Sequence, residues 1–278
     1  MNIDKYSIKM KILSWNVAGL RARLKNDDLK RVLFCIPNDK FYHYFDIVCL
    51  QETKCSEQQA NLTCEIKIRY PYMIWKNTMG TTQRRGFSGT CIMSTKKPLN
   101  ILDHYSFDEE GRIIALEFDN FVLVNLYVPN SQKVESDRAE FRNSWDIKFR
   151  ETTKKIKEDI GKQIIICGDL NVARTDNDIV DPNRKRNRVP GFLDDERHGI
   201  EQHLEYLDML DVFRHKNPDV RISTYWSNFL KQPRTNINGW RIDYFLASKQ
   251  IIEKIKTIEI LKDTIGSDHC PLYIEIQE

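Results

Sequence analysis

Four short segments of this chain each carry side chains able to hold a cation or move a proton. They are Ser14-Trp15-Asn16, Leu50-Gln51-Glu52-Thr53, Gly168-Asp169-Leu170-Asn171-Val172 and Ser267-Asp268-His269-Cys270. The first three follow apolar runs that read as strands: Lys11-Ile12-Leu13, Asp46-Ile47-Val48-Cys49 and Gln163-Ile164-Ile165-Ile166-Cys167. In a layered α/β fold, residues leaving the carboxyl ends of neighbouring strands converge on one crevice. An Asn, a Glu, an Asp-Asn pair and an Asp-His pair gathered there would form a hard-cation site with a proton carrier beside it. That is the equipment of a magnesium-dependent phosphoesterase.

Each residue alone has a plainer reading. Glu52 lies just past a buried strand, where a charge is costly unless paired or bound to metal, yet strand-end carboxylates are common. The same holds for Asp268. Together with Asn16 they would offer oxygen ligands from distant segments, which magnesium tolerates because it keeps several waters. Asp169 and Asn171 share a face if their segment stays extended, although an Asx turn satisfying its own backbone is the simpler alternative. A partly desolvated Asp169 would have a raised pKa and could take a proton from water. A lone His is usually structural, but Asp243, which interrupts the strand-like Trp240–Phe245, is a suitable orienting partner for His269. An imidazole so held would be cationic against a phosphate oxygen. Tyr127 and Asn130 flank Val128-Pro129 at a further strand end.

The elements that must position these groups fit one domain spanning 1–278, with residues 1–9 as a short lead. The chain has 278 residues, 41% apolar and 30% charged, which suits a soluble globular protein with a sizeable core. Net charge is only +3, so affinity for a polyanion must come from local patches such as Arg184-Lys185-Arg186 with Arg188, or Arg84-Arg85. Read plainly, such runs are solvated loops. Seven cysteines without a Cys-x-x-Cys pair argue against a disulfide framework or a zinc site. Cys49, Cys91 and Cys167 sit inside apolar runs as small hydrophobes. No signal peptide or membrane span is evident, so an intracellular protein is expected, in which the Asn61-Leu62-Thr63 sequon is chance.

The runs Arg112–Phe118 and Phe121–Val128, separated by Asp119-Asn120, predict a hairpin. Helical patterns fall at Asp27–Ile36, Ser56–Ile68, Asp137–Ile160 and Asp194–Leu210. In the longest, Phe141, Trp145, Phe149 and Ile156 recur at helical spacing and are expected in the core. Hairpins mixed with helix-linked strands imply a mixed sheet.

Six segments also resemble those of the exonuclease III class of apurinic/apyrimidinic endonucleases. They are Ser14–Arg21, Leu50–Lys54, Tyr127–Asn130, Gly168–Ala173, Trp240–Phe245 and Gly266–Pro271, in family order from about residue 10 to the end. The resemblance implies a four-layer α/β sandwich, two packed mixed β-sheets flanked by helices. It implies magnesium, with manganese as a substitute, held by Glu52 and Asp268 with Asn16 close by, while Asp169, Asn171 and His269 complete the metal-site residues. Asp169 would deprotonate or position the attacking water, Asn171 would orient it, and His269, buttressed by Asp243, would stabilise phosphate charge together with Tyr127. Asn130 would bind the same group. The implied reaction is hydrolysis of the phosphodiester 5′ to an abasic site in double-stranded DNA, leaving a 3′-hydroxyl, by a monomer with no membrane attachment. Electrostatic stabilisation and a metal are what phosphoryl transfer chiefly needs.

For DNA contact, the resemblance points to Phe87 in Gly86-Phe87-Ser88-Gly89, to Arg21, and to the basic loop residues Arg184, Lys185, Arg186 and Asn187. Phe229 and Trp240 would line the pocket for a flipped-out sugar, unless they are simply core. Three departures stand out. Ala18 occupies a position where many eukaryotic relatives carry an Asp, the loop Asn183–Val189 does not align cleanly, and the long amino-terminal extension of animal relatives is expected to be absent. A superfamily phosphatase acting on inositol phosphates or phospholipid headgroups would share the core set, so Glu52, Asp169 and His269 do not discriminate; the Trp240–Asp243 segment and the aromatic pocket favour DNA. A DNA-binding protein without catalysis is disfavoured because Asp169, Asn171 and His269 are all present.

Overall fold

The computed structural model describes residues 9–34, 44–78, 86–227, 234–235 and 238–277. Its strands are, in chain order, β1 (Lys9–Asn16), β2 (Ile47–Gln51), β3 (Tyr72–Lys76), β4 (Thr90–Ser94), β5 (Asn100–Ile101), β6 (Ile113–Glu117), β7 (Phe121–Tyr127), β8 (Gln163–Asp169), β9 (Met209–Asp211), β10 (Asp243–Ser248), β11 (Ile255–Ile260) and β12 (Leu272–Gln277). They form two six-stranded sheets, ordered β11-β12-β1-β2-β4-β3 and β5-β6-β7-β8-β10-β9. Each sheet has one parallel pair at its centre, β1 with β2 and β7 with β8, and antiparallel neighbours elsewhere.

The central strands are apolar on both faces because both faces are covered. In β8, Ile165 and Cys167 point into a core shared with Ile12, Cys49 and Ile92 of the other sheet. Its alternate residues Ile164 and Ile166 pack instead with Trp145, Phe149 and Ile156 of α5 (Asp137–Ile160) and Ile200 and Leu204 of α7 (Asp194–Tyr206). On the outer face of the first sheet, Leu13, Trp15, Val48 and Leu50 meet α1 (Leu20–Lys25), α2 (Asp28–Phe34) and α4 (Cys64–Arg69) through Leu20, Leu29, Val32 and Ile66. Helices, sheet, sheet and helices make the expected four-layer sandwich. Each buried Ile, Leu or Phe contributes about 1.5–3 kcal/mol, so this double use of every central strand supplies the rigidity that an active site needs.

The expected hairpin is present, closed by Phe118 N–H donating to the Phe121 carbonyl at 2.9 Å. Two helical expectations need correction. Ser56–Ile68 breaks into α3 (Glu57–Ala60) and α4, because Asn61 turns left-handed at φ 49° and Thr63 caps a new helix. The pattern Asp194–Leu210 stops at Tyr206, where Asp208 at φ 54° redirects the chain so that Met209–Asp211 pairs with β10 as an edge strand. Phe141 is not core: it is 38% exposed, its ring lying 4.5 Å from the Arg138 guanidinium. An α-helical stripe drifts about 40° per four-residue step, which leaves Phe141 about 80° from Phe149 at the stripe's edge. The described cysteines are free, and no described helix is long and apolar enough to cross a membrane.

Candidate active site

The two parallel pairs end at the same level and face each other across the core. Asn16 closes β1, Glu52 follows β2 directly, and Tyr127 and Asp169 close β7 and β8 in paired register. Two hydrogen bonds join the sheets there: Asn16 Nδ2 donates to Asp169 Oδ2 at 2.9 Å, and the Tyr127 hydroxyl donates to Glu52 Oε1 at 2.8 Å. One layer below, Gln51 Nε2 donates to Asn125 Oδ1 at 2.7 Å, and Asn125 satisfies the Leu50 and Cys91 carbonyls. A glycine must precede Asp169, because Gly168 sits at φ 137° and a Cβ on it would lie 1.9 Å from the Leu126 carbonyl oxygen.

Asp169 is fully enclosed. Its Oδ1 accepts the Asn171 amide at 2.8 Å while Oδ2 takes the Asn16 bond. Burial pushes its carboxyl up to about 7; His269 and the Asn171 amide pull it down, and Asp243 and Glu52 pull it up. Register sets Asp243 opposite Asp169 in the β10–β8 pair. Asp243 holds His269 Nδ1 through both oxygens, at 3.1 and 2.9 Å, which leaves Nε2 facing Asp169 Oδ2 at 3.9 Å. Burial alone would lower the His269 imidazole, but Asp243, Asp169 and Asp268 outweigh it and push it up to about 10. That direction favours the protonated ring near neutral pH. Ser267 fixes this loop by donating to the Asn16 carbonyl at 2.7 Å and accepting the His269 amide at 3.2 Å.

Glu52 stands in a left-handed backbone conformation, φ 51°, held by its surroundings. Its Oε1 accepts Asn16 and Tyr127, and its Oε2 faces the Lys54 ammonium at 2.7 Å. Burial would raise this carboxyl, yet Lys54, Asn16 and His269 together hold it below its ordinary value. Burial and Glu52 push the Tyr127 phenol well up, so its proton stays in place as a donor. Asp268 is half-buried, and the phenol of Tyr225, raised by burial, feels Asp268, Asp169 and Glu52 at once. The donors here are hard oxygens, and a lysine ammonium already lies against Glu52. The set fits a hard divalent cation. Asp169, Asp243 and His269 also bring one polar atom each within 4.8 Å of one another, a grouping that serves the protonated imidazole.

The extended reading of Asp169–Asn171 fails at Asn171, which turns at φ 50°. The Asx-type turn is the one formed, and it still serves the site. Asn171 Nδ2 donates to the Val128 carbonyl at 2.9 Å, and its Oδ1 accepts Asn130 Nδ2 at 3.0 Å, so the two amides meet beside Asp169. Arg21 is exposed and lines a cleft of about 490 Å³ with Gly19, Lys25, Lys54 and Gly86. Phe87 is half-buried, with the Arg112 and Arg138 guanidinium groups 5.4 and 5.9 Å from its ring. In the basic loop Arg184 faces solvent, Lys185 lies 5.4 Å from the Trp240 ring, and Arg186 pairs with Asp176 over the Phe192 ring. Asn187 is tied to Asp194, accepting its amide at 2.7 Å. Trp240 is half-buried against Ala173, Ile179, Phe192 and Ile242, so it is partly core. Arg241, in the segment read as favouring DNA, is wholly buried against Asp178 and Asp211. Phe229 lies outside the described residues, as do Arg84 and Arg85.

Sequence reasoning missed Lys54, Tyr225, Ser267 and the Gln51–Asn125 tie. Lys54 stood inside a quoted segment, two residues from Glu52, and that spacing was its signal. The Tyr225 ring, 4.8 Å from that of His269, had none.

A model of the Endonuclease/Exonuclease/phosphatase family matches residues 13–269, and the chain belongs to that family. Within it, the chain is 36% identical over 273 residues to the DNA repair nuclease APEX1 of Danio rerio, across 97% of this chain and 83% of that one. It is equally 36% identical over 273 residues to an exodeoxyribonuclease of Bacillus subtilis (strain 168), across 96% and 99%. Among solved structures, an AP endonuclease from Archaeoglobus fulgidus aligns with a TM-score of 0.79 at 26% identity, across 95% of this chain and 98% of that one. The AP endonuclease LMAP from Leishmania major gives 0.80 at 26%, across 97% and 88%.

Proposed function

We propose that this protein is a magnesium-dependent AP endonuclease of DNA repair, which hydrolyses the phosphodiester 5′ to an abasic site in duplex DNA and leaves a 3′-hydroxyl. The observation that carries the reading is the approach, at 3.9 Å, of His269, an imidazole held by Asp243, to a buried carboxyl raised to about 7, Asp169, among oxygen donors from both sheets. A base poised near neutrality beside fixed positive charge suits water attack on a phosphodiester. The names of the relatives, DNA repair nuclease and AP endonuclease, support a nuclease over the phosphatase alternative.

In this reading Glu52 and Asp268 would hold the metal, with Asn16 close by and its Nδ2 turned to Glu52. When bound, magnesium would neutralise charge developing on the phosphate. Asp169 takes the proton of the attacking water, and Asn171 and Asn130 orient water and phosphate through their facing amides. His269 donates to a phosphate oxygen, and the Tyr127 hydroxyl, which donates to Glu52 in the free protein, would turn to a phosphate oxygen when substrate binds. Arg21 and the outward residues of the basic loop would hold the DNA backbone. The whole constellation comes from one chain, which supports a monomer as the working form.

The test is incision of a duplex carrying one tetrahydrofuran abasic analogue, with magnesium against EDTA. The expected result is a metal-dependent nick with a 3′-hydroxyl. Activity indifferent to EDTA, or hydrolysis confined to inositol phosphates, would overturn the reading.

A further inference from the structure

Arg142 is one of the largest fully buried side chains, 1% exposed, on the inner face of α5. It carries a full charge into the interior, where desolvating an ion costs several kcal/mol. Its partners repay that cost and are unusual in where they lie. Nη1 donates to the Pro129 carbonyl at 3.1 Å and the Asn171 carbonyl at 2.9 Å, and Nη2 donates to the Leu170 carbonyl at 2.9 Å. One planar fork therefore grips both loops that carry the facing amides Asn130 and Asn171. Asp146, at 3.6 Å, and Glu196, at 3.5 Å, balance the charge from α5 and α7.

Glu196, itself 1% exposed, extends the clamp. Its Oε1 accepts the Ser131 hydroxyl at 2.6 Å, immediately after Asn130. Its Oε2 accepts the Gly191 amide at 2.6 Å and the Leu193 amide at 3.1 Å, from the segment that closes the basic loop. Gly191 in turn accepts the Ala173 amide at 2.8 Å through its carbonyl. Three loops thus meet on one buried ion pair.

We infer that Arg142, braced by Glu196, is a positioning residue for the reaction: it sets the separation and orientation of Asn130 and Asn171 without touching substrate. This inference rests on the proposed AP endonuclease reading. The Asn171 backbone is left-handed and tied through its own carbonyl to the guanidinium, which adds to the hold that Val128 and Asp169 have on the same residue. A lysine keeps the charge but not the fork, and cannot reach three carbonyls in that geometry.

The experiment compares wild type, Arg142→Lys, Arg142→Ala and Ser131→Ala by steady-state incision of a duplex with one tetrahydrofuran site. Circular dichroism and thermal unfolding are measured on each. Arg142→Lys is expected to fold and to lose roughly 10- to 100-fold in kcat, the scale of a displacement of about 1 Å in reacting groups. Its KM should move less than about threefold, because the proposed backbone contacts of Arg21 and the basic loop lie elsewhere. Ser131→Ala should lose less, and millimolar guanidinium should raise the kcat of Arg142→Ala but not of wild type. A folded Arg142→Lys with wild-type kcat overturns the inference alone. Unfolding of both Arg142 variants with Ser131→Ala fully active also overturns it, since the guanidinium would then serve the fold only. A wild type that does not incise overturns the function and this inference together.

Discussion

Asn16 and Asp169 belong to different sheets, and the Asn16 Nδ2 donates to Asp169 Oδ2 at 2.9 Å. The same nitrogen donates to Glu52 Oε1 at 3.0 Å, so its two protons bridge the carboxylate assigned to the metal and the carboxylate assigned to the base. The Asn16 Oδ1 accepts the Ala18 amide at 3.0 Å, which fixes which end of the side-chain amide faces the acids. Two like charges that would otherwise repel are thereby spaced by one neutral donor. Tyr127 makes the reciprocal crossing from the second sheet to Glu52. The catalytic spacing is therefore built from the sheet-to-sheet distance, which the packed core does not allow to change.

Asp169→Asn should abolish turnover while sparing DNA binding. The amide cannot accept a proton from water, so kcat should fall by about 10²- to 10⁴-fold, the usual worth of a positioned general base. Binding of abasic duplex, measured by fluorescence anisotropy in EDTA, should be unchanged or tighter because a negative charge near the phosphate is gone. Binding abolished together with catalysis in a folded variant would assign Asp169 to positioning instead.

Lys54→Met should lower the magnesium concentration that gives half-maximal rate. The ammonium 2.7 Å from Glu52 Oε2 competes with a divalent cation for the same carboxylate. Lys54 is 40% exposed and screened, so the pair is worth at most about 1 kcal/mol and the shift should be roughly two- to fivefold. A magnesium titration of the incision rate decides it: an unchanged or raised midpoint would show that Lys54 does not oppose the metal.

Glu52 and Asp169 were legible in the sequence because each follows a run of apolar residues, a place where a charge needs a reason, and His269 through Asp243 as its partner. The four-layer arrangement was legible only through the resemblance. Periodicity marks a strand such as Gln163–Cys167 as buried but does not say that Ile165 meets the other sheet while Ile166 meets a helix. Helix ends at Asn61 and Asp208 were missed because a left-handed φ at a non-glycine leaves no trace in hydrophobic spacing. The burial of Arg241 and Arg142 left no trace in the sequence, since their partners Asp178, Asp211 and Glu196 are scattered along the chain and become neighbours only on folding.

The His269–Asp243 pair should make stability depend on pH, with a definite sign. His269 has a folded pKa of about 10, above the unfolded value of about 6.5. A group raised on folding stabilises fully below its unfolded pKa, and that contribution is lost as pH rises through its folded pKa. Thermal unfolding of wild type and His269→Gln in EDTA should therefore differ most below about pH 6.5, and the gap should close towards pH 10. A gap that widens with pH would mean that the imidazole is neutral in the fold.

The basic loop should divide into side chains that hold DNA and side chains that hold the protein. Arg184 and Arg188 face solvent, whereas Arg186 is paired with Asp176 and Lys185 is packed against Trp240. Burial also holds the Lys185 ammonium below its ordinary value, as expected of a group committed to the interior side. Removing one cation that neutralises a phosphate should reduce the slope of log K against log salt by about 0.9. Arg184→Gln and Arg188→Gln should each show that reduction, Arg186→Gln a smaller one, and Lys185→Gln should instead lower the melting temperature by loosening the Trp240 packing. Preference for abasic over intact duplex should be the same in all four, because phosphate contacts position and do not specify. Binding titrations at several salt concentrations separate these outcomes. If neither Arg184→Gln nor Arg188→Gln changes the slope, the run is a solvated loop and the DNA must be held elsewhere, with the cleft lined by Arg21 and Lys25 the next place to look.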